Sequence, residues 1–167
     1  PNSSLAVPIE LRGDSLAEIR PGALPRGLAC LRSTRSLSLT GLMFRGCASG
    51  AVWVDSGLTN RSAERVAVSI IDSIFEHNRL DLTDALQQDS LSSDEHSAAF
   101  TLIGGGAAVY VRNADQLLVS GSRFTDNAVT DGMGGAIAAQ STVAVSVIDC
   151  VFEDNAVLDS RPSPSTG

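Results

Sequence analysis

The residues best placed to do chemistry in this chain are acids at matching positions. Asp72 and Asp149 stand at the same place in two similar segments. Paired carboxylates along a groove, often with Arg nearby, are what polysaccharide lyases and hydrolases use to move protons. The repetition itself argues for another cause, because equivalent positions in repeats recur for structure or solubility, and the intervening segment has Gly121 and Ser122 there. His77 and His96 are the only histidines. His77 falls in an expected turn between Phe75 and Asn78, without a Ser or Cys beside it to make a nucleophile and base. Every basic residue is Arg, which removes lysine catalysts. No catalytic residue is assigned.

Other candidates fare similarly. The acidic run Arg79 to Ser97 holds Asp81, Asp84, Asp89, Asp94, Glu95 and His96, whose oxygens could gather a hard cation. Calcium loops set their acids at tight alternate spacing with Gly, and this run does not, so it reads as a solvated loop. No metal or cofactor is expected. Arg12-Gly13-Asp14 matches an integrin-recognised tripeptide, although a polar β-turn accounts for it as well. Asn2 and Asn60 head glycosylation sequons and would be acceptors in a secretory setting. Three cysteines are too few for a disulfide framework and are not spaced as zinc ligands. Cys30 with Cys47 is the expected bridge, from adjacent repeats, leaving Cys150 packed or free; three unpaired, packed thiols are the alternative.

Composition bounds the partners. A formal net charge of −7 leaves no basic stripe for a phosphate backbone, so no nucleic-acid partner is expected. No run reaches the roughly 18 apolar residues that span a bilayer, so direct membrane insertion by this segment is not expected. The chain starts at Pro1 without an initiator or signal segment, which reads as a piece of a longer precursor. It is 43% hydrophobic but only 4% aromatic, so burial must come from Val, Ile, Leu and Ala, which suit thin stacked layers.

The elements that would position these residues come in repeats. Val66 to Asn78 (VAVSIIDSIFEHN), Leu117 to Asn127 (LLVSGSRFTDN) and Val143 to Asn155 (VAVSVIDCVFEDN) share an alternating β-branched run, then Phe, two polar residues and Asn. Ser36 to Cys47 is a fourth copy with Cys in place of Asn. After the first three in chain order comes a short strand led by small residues: Ser49 to Val54, Gly105 to Val111 and Gly134 to Gln140. Spacings of 28 residues from Phe124 to Phe152, 31 from Phe44 to Phe75 and 29 from Gly106 to Gly135 suit one solenoid turn. The 49 from Phe75 to Phe124 reflects an insertion placed at 79–97. Period-two alternation with Gly and Asn punctuation predicts short strands; only Leu80 to Gln88 offers a helical turn or two.

Stacking explains the residue types. Equivalent residues of successive layers would sit in columns about 4.8 Å apart. Phe44, Phe75, Phe124 and Phe152 would form an inner column. Asn78, Asn127 and Asn155 would form an amide ladder, broken at Cys47, with Asn adopting the left-handed backbone of the turn. Gly50, Gly105, Gly106, Gly134 and Gly135 would serve sharp turns, making Gly105→Val or Gly135→Val costly through positive φ.

These paired motifs, GGAI (Gly134 to Ile137), GGAA (Gly105 to Ala108), FEHN (Phe75 to Asn78), FTDN (Phe124 to Asn127) and FEDN (Phe152 to Asn155), resemble the repeats of chlamydial polymorphic membrane proteins. Similar repeats occur in large surface proteins of algae and protists. The resemblance spans about Leu37 to Val157, with departures at SGAV (Ser49 to Val52) and FRGC (Phe44 to Cys47). It implies an all-β fold, a right-handed parallel β-helix on the cell surface, acting in adhesion. The expected architecture is roughly four to five coils: a degenerate N-terminal coil or edge at 1–36, repeats at 37–158 and a linker-like tail at 159–167. The expected role is a structural or adhesive segment of an extracellular or cell-surface protein. Its partners would be further coils, other surface proteins or glycans. The alternative is a carbohydrate-binding or polysaccharide-cleaving β-helix.

Overall fold

Strands form where the short β-branched runs lie, and most of those among the described residues are followed by a residue that turns the backbone left-handed. A computed structural model describes residues 9–19, 31–33, 36–48, 50–55, 66–81 and 105–160. Asn2, Cys30, Asn60, the insertion beyond Asp81 with its candidate cation ligands, and the tail from 161 lie outside the described residues.

Among the described residues there are fifteen strands and no helix. They are β1 (Ile9–Ile19), β2 (Leu31–Ser33), β3 (Leu37–Arg45), β4 (Val52–Asp55), β5 (Ala67–Ile71), β6 (Ile74–Glu76), β7 (Arg79–Asp81) and β8 (Val109–Arg112). There follow β9 (Gln116–Ser120), β10 (Arg123–Thr125), β11 (Ala128–Thr130), β12 (Ile137–Gln140), β13 (Ala144–Ile148), β14 (Val151–Glu153) and β15 (Ala156–Leu158).

Every strand pairing is parallel. One sheet runs β13-β9-β5-β3-β6-β10-β14, with β1 against β3; a second runs β15-β11-β7; a third runs β12-β8-β4-β2. The registers align the sequence repeats residue for residue: Phe44 with Phe75, Phe75 with Phe124, and Phe124 with Phe152. Parallel strands cannot be joined by hairpins, so the chain must cross over between partners, which the repeat spacing allows.

The long apolar run of a repeat has two halves, separate strands in β5/β6, β9/β10 and β13/β14 and one bent strand in β3. In β3 the buried residues are Leu37 and Leu39, then Leu42 and Phe44. The parity changes because Gly41, with φ of 64°, inserts a bend that swaps which side chains face inward. Asp72, Gly121 and Asp149 repeat the bend at φ of 48°, 58° and 50°. A third short strand, β7, β11 or β15, follows each Asn. Residues 79–81 therefore continue the regular pairing, with Leu80 opposite Val129. The insertion begins after Asp81, not at Arg79, because buried Leu80 fills a core position. Residue 80 is thus in a strand, not a helical turn.

The core is a line of Leu, Val, Ile, Ala and Phe side chains contributed by the sheets, and it is buried through β9 to β11. Toward the other edge of the sheets the same positions open to solvent. Leu117, Val119, Phe124 and Val129 are fully buried, whereas their register partners Val145, Val147, Phe152 and Val157 are 51%, 46%, 47% and 55% exposed.

Candidate functional site

The functional residues read from the sequence are brought together as columns running across the strands, not as a cleft. The Phe column is continuous. Rings of Phe44 and Phe75 lie 5.0 Å apart, those of Phe75 and Phe124 4.8 Å, and those of Phe124 and Phe152 4.9 Å, all within a few degrees of parallel. That spacing is the distance between hydrogen-bonded strands, so the backbone sets the stack and the rings fill it.

The Asn ladder is directional. Asn78 Nδ2 donates to Asn127 Oδ1 at 2.8 Å, and Asn127 Nδ2 to Asn155 Oδ1 at 2.8 Å. Each Oδ1 also accepts the backbone N–H at the equivalent position of the preceding repeat, from Asn78 and from Asn127. The other amide hydrogen goes back to a phenylalanine carbonyl: Asn78 to Phe44, Asn127 to Phe75 and Asn155 to Phe124. Asn78 and Asn127 are fully buried, and every polar atom of their amides is engaged.

Two expectations about this ladder need correction. It is not simply broken at Cys47, whose backbone N–H donates to Asn78 Oδ1 at 3.0 Å, so only the side-chain rung is lost there. Nor does Asn take the left-handed conformation. That falls one residue earlier, on Gly46, His77, Asp126 and Asp154, at φ between 49° and 69°. The reason is geometric: the left-handed residue makes the corner, and the extended Asn beyond it points its amide inward along the stack.

A second polar column escaped the sequence reading. Ser73 Oγ donates to Ile71 O at 2.9 Å and accepts Leu42 N–H at 3.3 Å. Ser122 Oγ donates to Ser120 O at 2.9 Å and accepts Ser73 N–H at 3.1 Å. Cys150 takes the next place, its Sγ donating to Ile148 O at 3.2 Å. The signal was present as Ser, Ser and Cys, each two residues before Phe. Cys150 is a free thiol and Cys47 is disulfide-bonded; the expected partner, Cys30, lies outside the described residues.

The glycine expectation is half corrected. Gly50 and Gly134 are left-handed, at φ of 81° and 68°, but Gly105, Gly106 and Gly135 are not. Gly106 and Gly135 are required by proximity instead. A Cβ on Gly135 would meet the backbone N and O of Ala156 at 2.5 Å, and one on Gly106 the Val109 carbonyl oxygen at 2.5 Å. Gly135→Ala is therefore expected to cost roughly 1–3 kcal/mol, as for overpacking. Gly46→Ala, left-handed but with nothing within 4 Å, should cost about 1 kcal/mol. Urea unfolding of both variants checks the order, and a cheaper Gly135→Ala would refute the close approach.

The carboxylates do not gather into an acid–base pair. Asp72 and Asp149 share a corner column with Gly121, and all three are left-handed. Asp and Gly are among the residues that tolerate that conformation, so the recurrence is turn chemistry. Arg12, Gly13 and Asp14 lie in β1 at the irregularity of its pairing with β3, not in a β-turn. Asp159 and Ser160, expected in the tail, are held at the edge of the structure, where the Ser160 N–H donates to Asp131 Oδ1 at 3.0 Å.

One exposed cluster pairs charges across repeats. His77 Nδ1 donates to Asp126 Oδ2 at 2.7 Å, and Arg79 Nη2 reaches the same carboxylate at 2.9 Å. The His77 hydrogen bond, then that of Arg79, holds the Asp126 carboxyl below the usual carboxylate range. A lowered carboxylate pKa contributes stability above the unfolded value and loses it as pH falls through the folded value. Asp126→Asn should therefore lower the thermal midpoint slightly at neutral pH, and the gap to the parent chain should close as the pH falls through the lowered folded-state value of the Asp126 carboxyl. The exposure of all three groups keeps the effect small. A gap that widens in acid would refute it.

On the third sheet, Trp53 and Tyr110 pack at 4.5 Å on the face opposite Val52 and Val54, both nearly or fully buried. The Tyr110 hydroxyl donates to Gln140 Oε1 at 2.8 Å, and burial pushes its pKa up. Beside it Arg112 pairs with Asp55 at 2.8 Å. No group of three or more potential metal ligands occurs among the described residues. No protein-family model, curated protein or solved structure matches the chain, so its function has to be read from these columns.

Proposed function

We propose that this chain is a segment of a right-handed parallel β-helix on the outside of a cell, a structural or adhesive module that presents a rigid acidic surface. What carries the reading is register. The repeats pair in parallel, each with the next in sequence outward from β3, and the same residue types meet at the same places. Such an array commits its Phe, Asn and Ser side chains to holding layers together. What it offers a partner is its outer surface, on a chain of formal net charge −7.

Antibody against the chain should label intact source cells as strongly as permeabilised ones; labelling only after permeabilisation overturns the surface reading. A glycan panel assayed for both retention and turnover separates adhesion from catalysis. Retention without release of oligosaccharide is expected. Release that vanishes in Asp72→Asn or Asp149→Asn would establish the carbohydrate-cleaving alternative.

A further inference from the structure

The bend that divides the long apolar run turns on a single left-handed residue in four repeats: Gly41, Asp72, Gly121 and Asp149. In β1 the same place is four residues wide. Arg12 pairs with Thr40 and Ala17 with Leu42, so Gly13, Asp14, Ser15 and Leu16 together stand opposite Gly41. The span to be bridged is set by β3, where two residues reach about 7 Å, while the five steps from Arg12 to Ala17 could reach about 17 Å. The surplus chain has to bow away from the ladder. It has no room inward, because Leu39 and Leu42 beside the bend are core residues, 0% and 3% exposed. The bow is a short loop on the outer side, with both feet fixed by pairing to β3.

The bend stays in solvent even where repeats lie on both sides of it. Asp72, between Gly41 and Gly121, is exposed, and so is Gly121, between Asp72 and Asp149. A further repeat stacked against β1 would therefore leave this loop accessible. Its sequence is Arg12-Gly13-Asp14-Ser15. Leu11 pairs with buried Leu39, and strand alternation puts Arg12 at the opposite, outer register position. A guanidinium and a carboxylate separated by one glycine offer a receptor two different ionic handles at close range. The carboxylate is a hard oxygen ligand for a divalent cation, and the guanidinium docks bidentately on carboxylates. Gly13 between them lets a receptor's backbone come near.

We propose that this loop is the adhesive site of the chain, bound by a cell-adhesion receptor of the integrin class that takes the Asp14 carboxylate on its own divalent cation and the Arg12 guanidinium in an acidic recess. The proposal rests on the extracellular reading above and names its partner. Pinning both feet of the loop removes conformational freedom that a free peptide would lose on binding, so the folded chain should bind more tightly than the same residues alone.

The test presents the full chain on a surface to a purified integrin that binds Arg-Gly-Asp, in buffer containing Mn²⁺. Saturable binding is expected, lost in EDTA and weakened about tenfold or more by Asp14→Glu, which keeps the charge but lengthens the side chain. In a second variant one glycine replaces Gly13 to Leu16, giving β1 the bend of the other repeats. It should keep the parent's circular dichroism and urea midpoint and bind no integrin. The free peptide IELRGDSLAEI, Ile9 to Ile19, should compete only at about tenfold or higher concentration than the soluble chain. Binding that survives EDTA or Asp14→Glu, binding retained by the shortened variant, a peptide that competes as well as the chain, or no saturation up to ~10 μM integrin overturns the proposal. Absence of integrin binding by a chain that antibody labels on intact cells removes the receptor alone. Labelling only after permeabilisation removes the surface reading whatever the integrin result.

Discussion

Replacing Asn127 with Ala is expected to destabilise the fold by roughly 2–5 kcal/mol, a large share of the stability of a domain this size. The estimate comes from counting what the amide holds. Its Oδ1 accepts two hydrogens from Asn78, one from the side chain and one from the backbone. Removing it leaves two buried donors without an acceptor, each costing about 1–3 kcal/mol. The two Nδ2 bonds, to Phe75 O and Asn155 Oδ1, go as well. Water cannot replace the amide cheaply, because Asn78 and Asn127 are fully buried. Asn155→Ala is the control: it strips the same pair of acceptor bonds from Asn127, but at an edge that solvent reaches. It should cost about 1 kcal/mol less than Asn127→Ala. Urea unfolding at matched m-values measures both. Equal and small losses at the two positions would mean that the ladder contributes nothing beyond ordinary turn formation.

The ladder also shows how far the sequence could be read. Phe and Asn columns were legible because the same residue recurs at nearly constant spacing, and recurrence in a repeat becomes adjacency once strands pair in register. Direction was not legible, since an Asn can donate or accept with equal ease. The left-handed position was misplaced for a related reason: Gly46, His77, Asp126 and Asp154 share a conformation although three residue types fill it. The Ser73, Ser122 and Cys150 column was disguised in the same way, by a sulfur in place of an oxygen. Gly106 and Gly135 looked like turn residues because Gly serves both left-handed turns and close contacts, and only the positions of Val109 and Ala156 distinguish them. Trp53 and Tyr110 do not repeat, so their mutual packing left no periodic trace.

Phe124→Ala should cost about 3–5 kcal/mol, toward the upper part of the range for a buried aromatic. The ring is fully buried between Phe75 at 4.8 Å and Phe152 at 4.9 Å. In an ordinary core, neighbours relax into part of such a cavity and recover some of the loss. Here the parallel pairing of Arg123, Phe124 and Thr125 with both flanking strands fixes the layer spacing, so the two remaining rings cannot close on each other without breaking backbone hydrogen bonds. Phe124→Leu, which keeps most of the volume, should cost only about 1–2 kcal/mol. Phe152→Ala removes the same ring from a site 47% exposed, so about half the transfer energy and no enclosed cavity are at stake, and ~1–2 kcal/mol is expected. Phe75→Ala and Phe124→Ala together should depart from the sum of the single losses, because adjacent rings share one cavity. Unfolding midpoints for the five variants discriminate sharply: a loss at Phe152 as large as at Phe124 would mean that the last described layer is enclosed as fully as the one before it.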